Sequence, residues 1–191
     1  MRSLFIATAV LNILLPTLCA YALSPEEAYE AISHRRTEFQ AEQSTLDRDE
    51  ALNLEQLFQL VDRAVVQRVQ TLQWFTSGGV AGKTVSSYNA QTEQIISEFD
   101  FLVRPRELAP VRQLILSAIE DQKQFFYDSH RRLQTGGTFA FRGTRDPLVA
   151  SSSRKLREAL ARLQKRYPNE SAHNRRAFQD HLGALDFVQA K

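Results

Sequence analysis

The sequence predicts an all-α protein, an antiparallel helical bundle of four long helices plus a C-terminal helical hairpin. Three observations predict it. Apolar residues recur at the three-and-four spacing of one helix face in long stretches, most clearly from Pro110 to Leu133. No stretch alternates apolar and polar residues with the two-residue period of a strand. The links between stretches are short or glycine-rich, which makes successive helices antiparallel neighbours.

The first 22 residues differ in kind from the rest. Arg2 supplies a short positive region, Leu4 to Leu15 is apolar apart from Thr8 and Asn12, and Ala20-Tyr21-Ala22 has the small-x-small form of a signal-peptidase site. Residues 1–22 are therefore expected to be a secretory signal peptide, and 23–191 a single all-α domain. The apolar run is shorter than the roughly 20 residues that span a bilayer, so stable membrane insertion after cleavage is not expected. Leu18 is too bulky for a lipoprotein signal at Cys19.

Each helix has its own start and stop signals. Ser24-Pro25-Glu26-Glu27 combines a cap, a first-turn proline and a capping box. Helix 1 is expected to run from there to about Gln43, with Tyr29, Ile32 and Phe39 buried. Helix 2 is expected from about Glu50 to Phe75, along the stripe Leu54, Leu57, Phe58, Val61, Ala64, Val65 and Leu72. Ser77-Gly78-Gly79 ends it. Helix 3 spans about Val85 to Phe101, and Arg104-Pro105 breaks it. The central helix, Pro110 to Leu133, carries Val111, Leu114, Ile115, Ala118, Ile119, Phe125 and Phe126 on one face. Thr135-Gly136-Gly137 stops it, and 135–150 is the longest stretch without helical periodicity, with a short extended piece at 138–141. Ser151-Ser152-Ser153 are candidate caps for helix 5, which ends near Arg166. After Tyr167-Pro168-Asn169, helix 6 continues to about Gln189 with Phe178, His181, Leu182, Leu185 and Val188 inward.

Composition excludes several chemistries. The chain of 191 residues is 43% apolar and 24% charged, proportions of a packed protein, and its net charge of +2 is too small to imply nucleic acid. Its one cysteine, Cys19, lies in the leader. The mature chain therefore has no disulfide, no thiolate nucleophile, no cysteine metal site and no Cys-x-x-Cys-His for covalent haem. No cofactor or metal is expected. Ser77 to Thr84 ends in Gly-Lys-Thr like a phosphate-binding loop, but it lacks the first glycine and leaves a helix rather than a strand. No H-E-x-x-H, G-x-S-x-G or paired acidic motif points to an enzyme.

Antiparallel alternation places the loops 77–84 and 135–150 at one end, together with the starts of helices 1, 3 and 5. Lys83, Arg131, Arg132, Arg142, Arg145, Arg154 and Lys155 gather there. Free amides at helix starts favour anions. The candidate binding residues are Arg142, Arg145, Lys83, Arg131, His130, Phe139 and Phe141. Secondary candidates are Arg68 and Gln122, polar residues on apolar stripes with Glu93, Asp100 or Asp121 as partners for Arg68, and His34, flanked by Glu30 and Glu38 on one helix face. The expected role is an exported, periplasmic or secreted binding module whose basic end meets an anionic ligand, acidic protein or envelope polymer. Alternatives are a small-molecule sensor or enzyme using a His/Arg site around His130, and an assembly protein acting through its helix faces.

Overall fold

A computed structural model describes residues 23–32, 35–77, 82–102 and 106–188. Its elements are α1 (Pro25–Ala31), a 3-10 turn at Ala41–Gln43, α2 (Arg48–Thr76), α3 (Gly82–Leu102), α4 (Ala109–Gln134), a second 3-10 turn at Gly143–Arg145, α5 (Pro147–Arg166) and α6 (Ala172–Leu185). Among the described residues there is no strand. None of these helices is long and apolar enough to cross a membrane. The leader, 1–22, lies outside the described residues.

Side-chain pairs fix the directions. Gln67 meets Thr92 while Arg63 meets Glu98, so α2 and α3 are antiparallel. Lys123 meets Glu93 while Arg112 approaches Asp100, which reverses α4 against α3. Gln122 bonds Ser152 and Lys155 bonds the Ser117 carbonyl, which reverses α5 against α4. On α6, His181 pairs with Asp62 and Ala184 with Arg68, so α6 runs in the same direction as α2.

The helix boundaries follow local chemistry. The Ser24–Glu27 capping box forms in full around Pro25. Asp47 caps α2 by accepting from the Glu50 amide. α5 starts earlier than the serines suggest. Asp146 caps it through the Leu148 amide with Pro147 in the first turn, which leaves Ser152 and Ser153 buried inside the helix. α6 stops at Leu185 rather than near Gln189.

The largest departure from expectation is helix 1. It has 7 residues, not a long run to Gln43, and Ile32 leaves it in extended geometry. Residues 35–40 form an extended strap over α2 and α6. Asn174 accepts from the Gln40 amide at 2.9 Å and donates to the Gln40 carbonyl at 3.0 Å, while His173 Nε2 lies 2.9 Å from the Glu38 carbonyl. Phe39 leaves the strap to pack against the stacked pair Phe58 and Phe178. These bonds outweigh the modest helix propensity of a short segment. The four long helices are therefore α2, α3, α4 and α5. The C-terminal pair α5 and α6 pack on each other as a hairpin, and they are also integral to the bundle, since α5 packs along α4 and α6 closes against α2.

Two apolar clusters fill the interior. The larger runs through Leu54, Phe58, Val61, Ile95, Phe99, Ile115, Leu156, Leu163 and Phe178. The smaller is aromatic, with Phe75, Tyr88, Phe125, Phe126 and Phe187 at the loop end. Between them sits a buried polar layer of Arg68, Gln122, Ser152, Ser153 and Asp186.

Candidate functional site

The end of α2 and the loop after α4 meet through stacked rings. Phe139 lies on Phe75 at 4.8 Å, and Phe141 contacts Phe125 and Phe187 edge-on or tilted. Each such aromatic pair contributes about 1 kcal/mol beyond its area burial. Both phenylalanines thus serve first as anchors, Phe139 half-buried and Phe141 41% exposed. Their attachment gives the segment 137–146 a defined path, with the Gly143–Arg145 3-10 turn near its end.

Arg142 and Arg145 lie on that anchored path, Arg131 in the last turn of α4 before it and Arg154 on α5 after it. Arg131, Arg142, Arg145 and Arg154 are exposed and have no ion-pair partner among the described residues. Arg132 only touches Ser129 on its own helix. The nearby carboxylates are occupied. Asp146 caps α5, and Asp128 accepts from Gln124. Along the bundle Arg36, Arg63, Lys123 and Arg162 pair with carboxylates, whereas Arg35, Arg48, Arg106, Arg157 and Arg175 are exposed with no ion pair among the described residues.

The structure rearranges the other members of the expected cluster. Lys155 is drawn into the bundle by Asp121 at 2.6 Å and does not join the loop end. Lys83 belongs to the first turn of α3 rather than to a loop, and its side chain lies outside the described atoms, as His34 does. α1 does not bring its N-terminus to this end. Leu23 and Pro25 lie beside Val66, Gln67 and Gln70, about two to three turns below Thr76. His130 is half-buried, with Nδ1 enclosed and lacking a hydrogen-bond partner among the described residues.

Arg68 and Gln122 have a different task. Arg68 is 1% exposed, and it meets none of Glu93, Asp100 or Asp121. Its Nη2 donates to the Ala184 carbonyl at 2.6 Å, and its guanidinium lies 5.1 Å from the Phe187 ring. Gln122 donates to the next carbonyl, Leu185, at 2.9 Å and to Ser152 Oγ at 3.0 Å. Together they satisfy the last carbonyls of α6, where the helix dipole is negative. Burial pulls the Arg68 guanidinium down to about 10, and the Tyr88, Asp186 and Tyr29 oxygens act against that. It remains a cation at neutral pH.

A second polar centre, which periodicity does not reveal, lies halfway down α2. Asp62 is buried there and collects three donors. Its Oδ1 is 2.6 Å from His181 Nδ1 and 2.9 Å from the Tyr29 hydroxyl, and its Oδ2 is 2.9 Å from Arg36 Nη2 on the strap. Phe58 stacks on the His181 ring at 4.7 Å. Burial, and then the Asp62 carboxylate, hold the Tyr29 phenol far above the usual tyrosine range, so it is a fixed donor. A cavity of about 120 Å³ opens beside this group, with Phe39 and Phe58 as its apolar floor. His181 Nε2 is buried without a partner. Sequence spacing showed His181 on an inward face, but its partners are 119 and 152 positions away.

Neither centre resembles a metal site. Among the described residues no group of three or more His, Cys, Asp or Glu side chains converges to hold an ion. Comparison with protein-family models, with curated proteins and with solved structures finds no match.

Proposed function

We propose that this protein is an exported helical binding module, and that its loop end meets an anionic partner, an acidic protein segment or an anionic envelope polymer. One observation carries the reading. Four arginines gathered at the loop end, Arg131, Arg142, Arg145 and Arg154, are exposed and without carboxylate partners among the described residues. Exposed guanidiniums without carboxylate partners suit carboxylate and phosphate groups through their fork of donors. The leader-like composition of residues 1–22 supports export. Each exposed ion pair contributes under about 1 kcal/mol, so affinity has to come from several arginines acting together.

The test is binding of fluorescein-labelled polyglutamate and polyphosphate, measured by anisotropy at several salt concentrations. Affinity should fall steeply with salt. Arg142→Ala with Arg145→Ala should weaken it about tenfold and flatten the salt dependence, as loss of two contacts implies. Binding that ignores the double substitution removes the reading.

A further inference from the structure

Two glycines among the described residues have positive φ, Gly136 at 80° and Gly143 at 55°. Each follows a residue in bridge geometry, Thr135 at φ −92°, ψ 17° and Arg142 at φ −102°, ψ 9°. Such a right-then-left pair turns successive backbone amides toward one side and makes a small anion-binding hollow. The first hollow fills itself, because the Thr135, Gly136 and Gly137 amides donate to the last carbonyls of α4. The second stays open. The Arg142, Gly143 and Thr144 amides have no acceptor among the described residues. The Arg142 and Gly143 carbonyls, which would repel an anion, are taken up within the turn by the Arg145 amide at 3.3 Å and the Asp146 amide at 3.0 Å. The first of these bonds keeps the Arg142 and Arg145 backbones within about 7 Å of each other. Phe141 before the turn packs on Phe125 and Phe187, and Asp146 after it caps α5, so both ends are held.

We propose that the Arg142–Thr144 turn binds the phosphate group of a monoester. The inference rests on the loop-end reading above and names the group which that end holds. Three amides and two exposed arginine side chains offer more donors than the two oxygens of a carboxylate can use. A phosphomonoester presents three oxygens and about two negative charges, which match the two guanidiniums. The amides are aligned by the Arg142–Gly143 backbone and not by a helix dipole, which a 3-10 turn of 3 residues is too short to build. The nearest carboxylate in the chain, Asp146, is held by the Leu148 amide. The geometry depends on Gly143, because its φ of 55° suits glycine or asparagine and strains a β-branched residue. A Cβ there would meet nothing within 4 Å, so a substitution acts through the backbone alone.

The experiment titrates glycerol 3-phosphate, dimethyl phosphate and acetate into the nitrogen-15-labelled protein at matched ionic strength. The pH is about 7.5, where the monoester is mostly a dianion. The Arg142, Gly143 and Thr144 amide signals should move downfield together and saturate with the monoester, and the diester and acetate should bind several-fold more weakly. Gly143→Val should weaken the monoester about tenfold with helix content unchanged, and Gly143→Asn should restore most of the affinity. Vesicles of phosphatidic acid in phosphatidylcholine separate the two sources of such a group. Co-sedimentation assigns the phosphate to a lipid headgroup, and glycerol 3-phosphate binding without it assigns a free ester. Equal affinity for acetate, or an unchanged affinity in the Gly143→Val protein, would overturn the proposal. Polyglutamate binding that depends on Arg142 and Arg145, with no saturable amide shift up to about 50 mM glycerol 3-phosphate, would overturn it too and leave the loop-end reading standing. Loss of both kinds of binding would remove both.

Discussion

Arg68, in the second half of α2, donates to the Ala184 carbonyl one residue from the end of α6, across 2.6 Å and with both residues buried. A guanidinium thus acts as a helix cap from a neighbouring helix. Arg68→Ala should lower the stability by about 3 kcal/mol or more. It opens a cavity and strands a carbonyl that water cannot reach. Arg68→Met, which keeps most of the volume, should recover part of the loss. Urea melts of the two variants separate the packing share from the hydrogen-bond share.

The two loop phenylalanines should differ. Phe139 stacks on Phe75 with most of its ring covered, so Phe139→Ala should cost about 2 kcal/mol and raise proteolysis within 137–146. Phe141 is 41% exposed, and Phe141→Ala should cost about 1 kcal/mol or less. Thermal melts combined with limited trypsin digestion check both. Equal losses would mean that the loop is held some other way.

The strap depends on one side chain of α6. Asn174 both accepts from and donates to the Gln40 backbone. Asn174→Ala should remove about 1–3 kcal/mol and speed exchange of the Gln40 amide far more than that of the α4 amides. Hydrogen exchange read by mass spectrometry distinguishes local release of the strap from general loosening.

Glu170 should give the fold an acid-sensitive anchor. Burial alone would raise its pKa, but bonds from Ser44, the Ser171 and Thr45 amides and Asn174 outweigh that and hold it below the usual glutamate range. A carboxylate with a depressed folded-state pKa adds stability above its unfolded pKa of about 4.3 and loses it as the pH falls through the lower folded value. Glu170→Gln should therefore destabilise the protein at pH 7 and much less at about pH 3, measured by urea midpoints across that range.

The class of the fold was legible because four stretches carry a continuous apolar stripe, and such stripes survive any detail of packing. Leu54 to Phe75 and Val111 to Leu133 show this best. Helix 1 was misread because Tyr29, Ile32 and Phe39 are all buried, yet Phe39 reaches the core from an extended strap. Its environment is set by Asn174 and Phe178, more than 130 positions later in the chain. Arg68 and Gln122 stood out as polar residues on apolar stripes. Nothing local says that their partners are backbone carbonyls of α6. The Asp62 centre escaped notice for the same reason. Its four members come from α1, the strap, α2 and α6, so no spacing rule joins them.

The polar layer at Arg68 also sets an order of assembly. A bundle of hairpins closes by near-neighbour contacts and folds fast. Here the donors on α2 and α4 wait for carbonyls 116 and 63 positions downstream, and Asp62 waits for His181, 119 positions away. Until residues 172–188 have been synthesised and docked, a buried cation and a buried carboxylate lack their partners. α6 thus completes polar contacts of both α2 and α4, and a chain cut before residue 172 should lose stability across the bundle rather than only at its end.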